Sequence, residues 1–157
     1  GRLRQVDVDT NSDRRPDVFR IFDERQRPTR AFIDLDFDGR IDRWEEYDDA
    51  GRTIRYSTSA HGAKPDRFVV LDATSGRLAS VEFDEDHDGR RERREEYGPR
   101  GLSRVTRDSD GDGRMDRAEV WSEGRIVAEE IDRNGDGRMD LRLVRLPDGS
   151  LRVEPMK

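Results

Sequence analysis

Cysteine is absent from this 157-residue chain. Its absence removes disulfides, thiolate zinc sites and cysteine nucleophiles. Lysine is nearly absent: Lys64 and Lys157 are the only two among 31 basic residues, and the rest are arginine. No apolar run is long enough to cross a membrane as a helix. An initiating Met and a leader are missing too, so the chain, which opens at "GRLRQV", reads as a trimmed fragment. Apolar residues are scarce, at 31% against 43% charged. A chain so composed cannot build a large core, and something else must offset the entropy of ordering it. Bound metal is one candidate. Charge of one sign is also lacking. The 37 acids and 31 bases alternate along the chain, the net charge is −6 and the pI is about 5.1, which argues against nucleic acid as a partner.

What is present is a repeat. "DSDGDGRMD" begins at Asp108, and related stretches begin at Asp34 ("DLDFDGRID"), Asp84 ("DEDHDGRRE") and Asp132 ("DRNGDGRMD"). Two weaker relatives begin at Asp9 ("DTNSDRRPD") and Thr58 ("TSAHGAKPD"). The starts at 9, 34, 58, 84, 108 and 132 are 24 to 26 residues apart. Spacing this regular defines six units. Gly51, Gly76, Gly101, Gly124 and Gly149 follow the loops as turn signals; the first unit, with "DERQRP", lacks one. Around the turns lie short β-rich runs such as "VFRIF", "FVVL", "LASVEF" and "RIVAEEI". "DRWEEYDDAG" and "ERREEYGPRG" could each pass alone for two helical turns, but their equivalents "DRFVVLDATSG" and "DLRLVRLPDG" prefer strand. Units of one repeat share one structure, so strand is predicted throughout.

The expected fold is therefore all-β. Six tandem β-hairpins of about 24–25 residues, joined by acidic loops, form a single repeat domain over 1–157. The arrangement is either an elongated solenoid or a single twisted sheet. The strand pattern predicts a thin apolar face (Phe19, Ile21, Trp44, Phe68, Val70, Ala118, Val120, Val144). Opposite it lies a ladder of Arg43-Glu45-Tyr47, Arg93-Glu95-Tyr97 and Arg117-Glu119-Trp121. The ladder reads first as a solvated face held by cross-strand pairs, and second as a platform for a glycan or partner protein.

The loops have the chemistry of a cation site. Calcium takes six to eight oxygens, and a short peptide supplies them only by curling around the ion. Alternate acids at positions 1, 3 and 5 then point inward, position 6 turns through a conformation that favours glycine, and position 7 offers its main-chain carbonyl. Position 9 is acidic in all six units: Asp17, Asp42, Asp66, Glu92, Asp116 and Asp140. Position 12, the bidentate Glu of an EF-hand, is Glu45, Glu95 or Glu119 in three units, but Arg20, Val69 or Leu143 in the others.

This pattern resembles the non-helical D-x-D-x-D-G-x-x-D calcium loops of thrombospondin type 3 repeats and of the FG-GAP loops in integrin-like propellers. The intervening hairpins, with "YDDAGR", resemble bacterial YD/Rhs repeats. The short unit argues against a propeller. In those families the matching acids bind calcium structurally. The resemblance thus implies four sites: Asp34, Asp36, Asp38 and Asp42; Asp84, Asp86, Asp88 and Glu92; Asp108, Asp110, Asp112 and Asp116; and Asp132, Asn134, Asp136 and Asp140. The carbonyls of Arg40, Arg90, Arg114 and Arg138 would join them, with Glu45, Glu95 and Glu119 as optional ligands.

A weaker site is expected at Asp9, Asn11, Asp13 and Asp17, where Arg14 replaces the glycine. The third loop, with Thr58, Ala60 and Gly62 at ligand positions, is expected to be metal-free. Four bound divalent ions would move the net charge from −6 to about +2.

The expected role is a calcium-stiffened spacer or interaction module of an exported bacterial protein, at the cell surface or in the periplasm, where calcium is plentiful. Its partners would be calcium and a surface protein or glycan, without membrane insertion. Catalysis is not expected, because His61 and His87 lie in loop positions with no Ser or Cys arranged for a triad. A sensor is not expected either, for want of helices to open.

Overall fold

The computed structural model describes residues 2–60 and 64–156. These residues form thirteen β-strands and no helix, the all-β hairpin repeat that the sequence pattern predicts. The chain divides into two compact units, Gly1–Leu78 and Ala79–Lys157.

The first unit holds β1 (Gln5–Val8), β2 (Val18–Phe22), β3 (Pro28–Ile33), β4 (Arg43–Tyr47), β5 (Thr53–Thr58) and β6 (Arg67–Leu71). The second holds β7 (Leu78–Phe83), which starts on the last residue of the first unit, then β8 (Arg93–Gly98), β9 (Gly101–Arg107), β10 (Arg117–Ser122), β11 (Arg125–Ile131), β12 (Leu141–Arg145) and β13 (Leu151–Pro155). Inside each unit the strands pair antiparallel in chain order. "RWEEY" and "RREEYG", the segments open to a helical reading, are β4 and β8.

The turns show why glycine recurs after each loop. In the β4–β5 turn Gly51 has φ 76° and donates to the Asp48 carbonyl at 2.9 Å. With the Asp48 amide bonded to the Arg52 carbonyl, this is a common three-residue hairpin that ends on a left-handed residue; a separate register shift lies between Glu46 and Tyr47. The Asp48 carboxylate takes the amides of Ala50 and Arg52, each at 2.9 Å. The first repeat lacks the glycine, and Gln26 adopts φ 63° in its place. Asp23 holds that strained turn by accepting the amides of Arg25 and Arg27.

These turn carboxylates predict an acid dependence. The Arg27 amide leads the groups that hold Asp23 below its ordinary 3.8, and the Arg52 amide does the same for Asp48. A depressed folded value means that the unfolded chain takes up the proton first. The stabilisation is therefore present above about pH 4 and is lost as pH falls through the folded values. Asp23→Asn and Asp48→Asn should flatten the fall in melting temperature below pH 4, and an unchanged slope would contradict this.

Register places the two faces. Cross-strand partners point to the same side, so Phe19, Phe32, Trp44, Ser57 and Phe68 share one face of the first unit. Ala31, Glu45, Tyr56 and Val69 share the other. In the second unit Val81, Glu95, Val105 and Glu119 line the ladder face. Burial falls on both faces: Ala118 and Ala128 are buried on the apolar side that the sequence suggests, but the larger buried side chains lie on the ladder side. Val69 is 1% exposed on the ladder side, while its neighbour Val70 is 37% exposed on the apolar side. Val81 and Val105 are likewise buried on the ladder side. Within each unit, among the described residues, each strand touches only its chain neighbours, so neither unit folds a second layer over its own sheet. Cover comes from long charged and aromatic side chains lying over short ones. Arg43 stacks on Tyr56 at 4.0 Å and Arg93 on Phe83 at 3.9 Å.

Candidate metal centres

The acidic loops lie at the strand ends opposite the hairpin turns. Five of them, beginning at Asp9, Asp34, Asp84, Asp108 and Asp132, share one backbone path. Each has left-handed residues at positions 4 and 6: Ser12 and Arg14, Phe37 and Gly39, His87 and Gly89, Gly111 and Gly113, Gly135 and Gly137. Position 6 follows from the glycine rule. Position 4 is signalled in the sequence only by Gly111 and Gly135; Ser12, Phe37 and His87 adopt the strained conformation without a glycine.

The carboxylates hold this path through amide hydrogen bonds. In the second loop Asp34 accepts from Phe37 and Gly39 at 2.7 and 2.8 Å. Asp36 accepts from Asp38, Asp38 from Arg40, and Asp42 from Leu35. The same offsets recur at Asp108, Asp110, Asp112 and Asp116. Short polar side chains bonding amides two residues ahead are Asx turns, and here they run in series around a concave loop.

The loop from Asp84 gathers most. Asp84, Asp86, Asp88 and Glu92 each offer an oxygen within 4.8 Å of the others. Asp34, Asp36 and Asp42 form a like group, as do Asp108, Asp110 and Asp116. Asp38 and Asp112 stand outside these groups, each bonded to the amide of Arg40 or Arg114. Like charges this close repel strongly unless a cation or proton intervenes.

A second feature points the same way. Asp84 is 6% exposed, and its Oδ1 is buried with no hydrogen-bond partner. Asp116 Oδ1 is likewise buried and unpartnered. A buried carboxylate oxygen without a partner is costly. Both oxygens belong to the clustered acids, and the donor set is all oxygen, as a hard cation requires. These residues therefore fit a bound divalent ion.

The first and sixth loops differ. Among the described residues their acids form no such cluster. Asn11 and Asn134 occupy position 3 and donate to Asp13 and Asp136, each at 3.3 Å. The closing acids are already engaged. Arg133 Nε reaches Asp140 Oδ1 at 2.7 Å, while Asp17 is 2% exposed and takes the Thr10 hydroxyl and amide. Those two bonds, then the Asn11 amide, hold the Asp17 carboxyl below its ordinary value against the opposing effect of burial. Burial pushes Asp132 the other way, but the amides of Gly137, Gly135, Asn134 and Asp136 outweigh it and leave its value lowered. In the third loop Asp66 accepts from Ala60; His61 and Gly62 lie outside the described residues.

Arg14 at φ 73° carries the strain that the sequence predicts. Arg14→Gly is expected to stabilise the protein by about 0.5–1 kcal/mol, the cost of a left-handed non-glycine residue less the entropy glycine adds to the unfolded chain. Denaturant unfolding checks this, and a destabilised variant would contradict it.

The position-12 glutamates point away from the loops. Glu45 bonds Arg43 Nε at 2.6 Å and the Tyr47 hydroxyl. Glu95 bonds Arg93 and the Tyr97 hydroxyl, and Glu119 accepts from Trp121 Nε1. They belong to the ladder. Burial, then Glu45, pushes the Tyr47 phenol up to about 12, as expected for a hydroxyl already committed to a carboxylate.

The loops are chained within each unit. The position-9 carbonyl of one loop accepts an amide from the start of the next: Asp17 from Asp34, Asp42 from Ser59, Glu92 from Asp108, and Asp116 from Asp132, at 2.8–2.9 Å. Arg114 adds a side-chain link, donating to the Gly135 carbonyl at 2.8 Å. Comparison with protein-family models and with curated proteins returns no match.

Proposed function

We propose that this chain is a calcium-binding, calcium-stabilised repeat module of an exported bacterial protein, serving as a spacer or interaction scaffold at the cell surface or in the periplasm. The observation that carries this reading is the loop from Asp84. It converges four carboxylates around a buried Asp84 oxygen that nothing else satisfies. Asp84, Asp86, Asp88 and Glu92 would hold the ion, as would Asp34, Asp36 and Asp42, and Asp108, Asp110 and Asp116. The loops at Asp9 and Asp132 would follow with lower affinity. When bound, the ion supplies charge neutralisation and a fixed loop geometry. The chain's own part is to present oxygens from a backbone already shaped by its Asx turns.

Calcium is favoured over magnesium because an irregular cage of carboxylates and main-chain oxygens suits a large, geometrically tolerant ion. Weak static sites are useful where calcium is abundant, which supports an extracytoplasmic location. Tyr47, Tyr97 and Trp121 spend their polar atoms on ladder glutamates, which favours an architectural over an adhesive use of those aromatics. Parallel calorimetric titrations with calcium and magnesium test the assignment. Saturable calcium heats, with magnesium weaker, are expected. Absence of binding, or a preference for magnesium, would overturn it.

A further inference from the structure

The ladder closes in two of its three full copies. Arg43 meets Glu45 at 2.6 Å and Arg93 meets Glu95 at 3.0 Å. The third copy does not close. Glu119 turns to the indole of Trp121, and Arg117 has no ion-pair partner among the described residues. Its direct cross-strand neighbour is Arg107, which has none either. Two guanidinium groups therefore face each other across adjacent strands, a destabilising juxtaposition, in a chain whose acids outnumber its bases.

The space between them is hollow. A notch of about 340 Å³ opens there, lined by both arginines, the apolar Val105 and Ile131, and Ser109 of the adjoining loop. Glu119 and Glu129 line it too, and Glu129 also pairs with Arg145 at 3.2 Å.

We propose that this notch on the second unit is a binding site for a carboxylate-bearing small molecule that also carries hydroxyl groups, the chemistry of a sugar acid. The two guanidinium groups supply the planar fork that matches a carboxylate. Val105 and Ile131 back an apolar ring face. Glu119 and Glu129 accept from hydroxyls and disfavour dianions such as sulfate. The volume admits one sugar-sized ring. The site is independent of the calcium reading, since neither arginine belongs to a loop cluster.

The test uses the intact chain at fixed calcium. The arginine Nε–H resonances are followed while glucuronate, glucose or sulfate is added. Glucuronate should shift the Arg107 and Arg117 signals saturably, glucose should leave them in place, and sulfate should act more weakly. Arg107→Gln and Arg117→Gln should each weaken glucuronate about tenfold or more. Circular dichroism verifies that both variants fold, and Arg145→Gln serves as a second, charge-matched variant whose weakening of glucuronate should be smaller. The proposal fails if glucuronate moves neither signal, if glucose shifts them equally, or if the folded Gln variants bind as well as wild type.

Discussion

Stripping divalent ions with a chelator is expected to lower the melting temperature by about 20 °C or more. The core cannot hold the fold alone: the only fully buried large apolar side chains among the described residues are Val69 and Val81. Each site filled at about a hundredfold over its dissociation constant contributes about 2.7 kcal/mol. Three clusters of acids then contribute about 8 kcal/mol, and a chain of this length shifts by roughly 2–4 °C per kcal/mol. The repulsion among three or four carboxylates per loop that chelation restores is part of that binding contribution. Loss of the β-type circular dichroism at ambient temperature is the extreme form of the same outcome. Identical melting with and without chelator would show that the ladder alone suffices.

Glu130→Ala is expected to cost roughly 3 kcal/mol. Glu130 is 3% exposed and lies between Arg104, at 2.5 Å, and Arg142, at 3.2 Å. Removing one member of a buried charge group costs about 3–5 kcal/mol, because the remaining charges lose their compensation. The low end applies here, since the two arginine side chains are about a third exposed and partly screened. Arg142 Nε is already buried without a partner, and the glutamates across from the two arginines, Glu154 and Glu96, are paired with Arg152 and Arg94. The neighbouring Glu129, paired with Arg145 on an exposed stretch, should cost under about 1 kcal/mol when replaced. Denaturant unfolding separates the two. Equal small losses would remove Glu130 from any structural role.

Much of this molecule is readable from spacing alone. Acids at fixed offsets, glycines about nine residues beyond the loops and short β-rich runs specify hairpins and loops, because each rests on a local backbone requirement. "RWEEY" is a strand like its repeat equivalents "RFVVL" and "LRLVR", whose residues prefer strand. What spacing does not reveal is tertiary in origin. Glu130 sits in "RIVAEEI" beside an equally acidic Glu129, and only register decides which one faces Arg104. Burial on the ladder side was invisible, because it arises from long side chains folding over Val69 and Val81, not from an apolar stripe. The position-12 glutamates share a residue type with EF-hand ligands, yet a strand beginning directly after the loop turns them to the ladder. The left-handed position 4 was half visible, in Gly111 and Gly135, and hidden by Ser12, Phe37 and His87.

The central claim is that clustered loop acids hold calcium. It is tested most directly by counting bound ions in wild type and in the Asp84→Asn/Asp86→Asn variant by equilibrium dialysis. At least three ions per chain are expected for wild type and one fewer for the variant, with the remaining sites retained. An unchanged count, or no bound calcium in wild type, would contradict it.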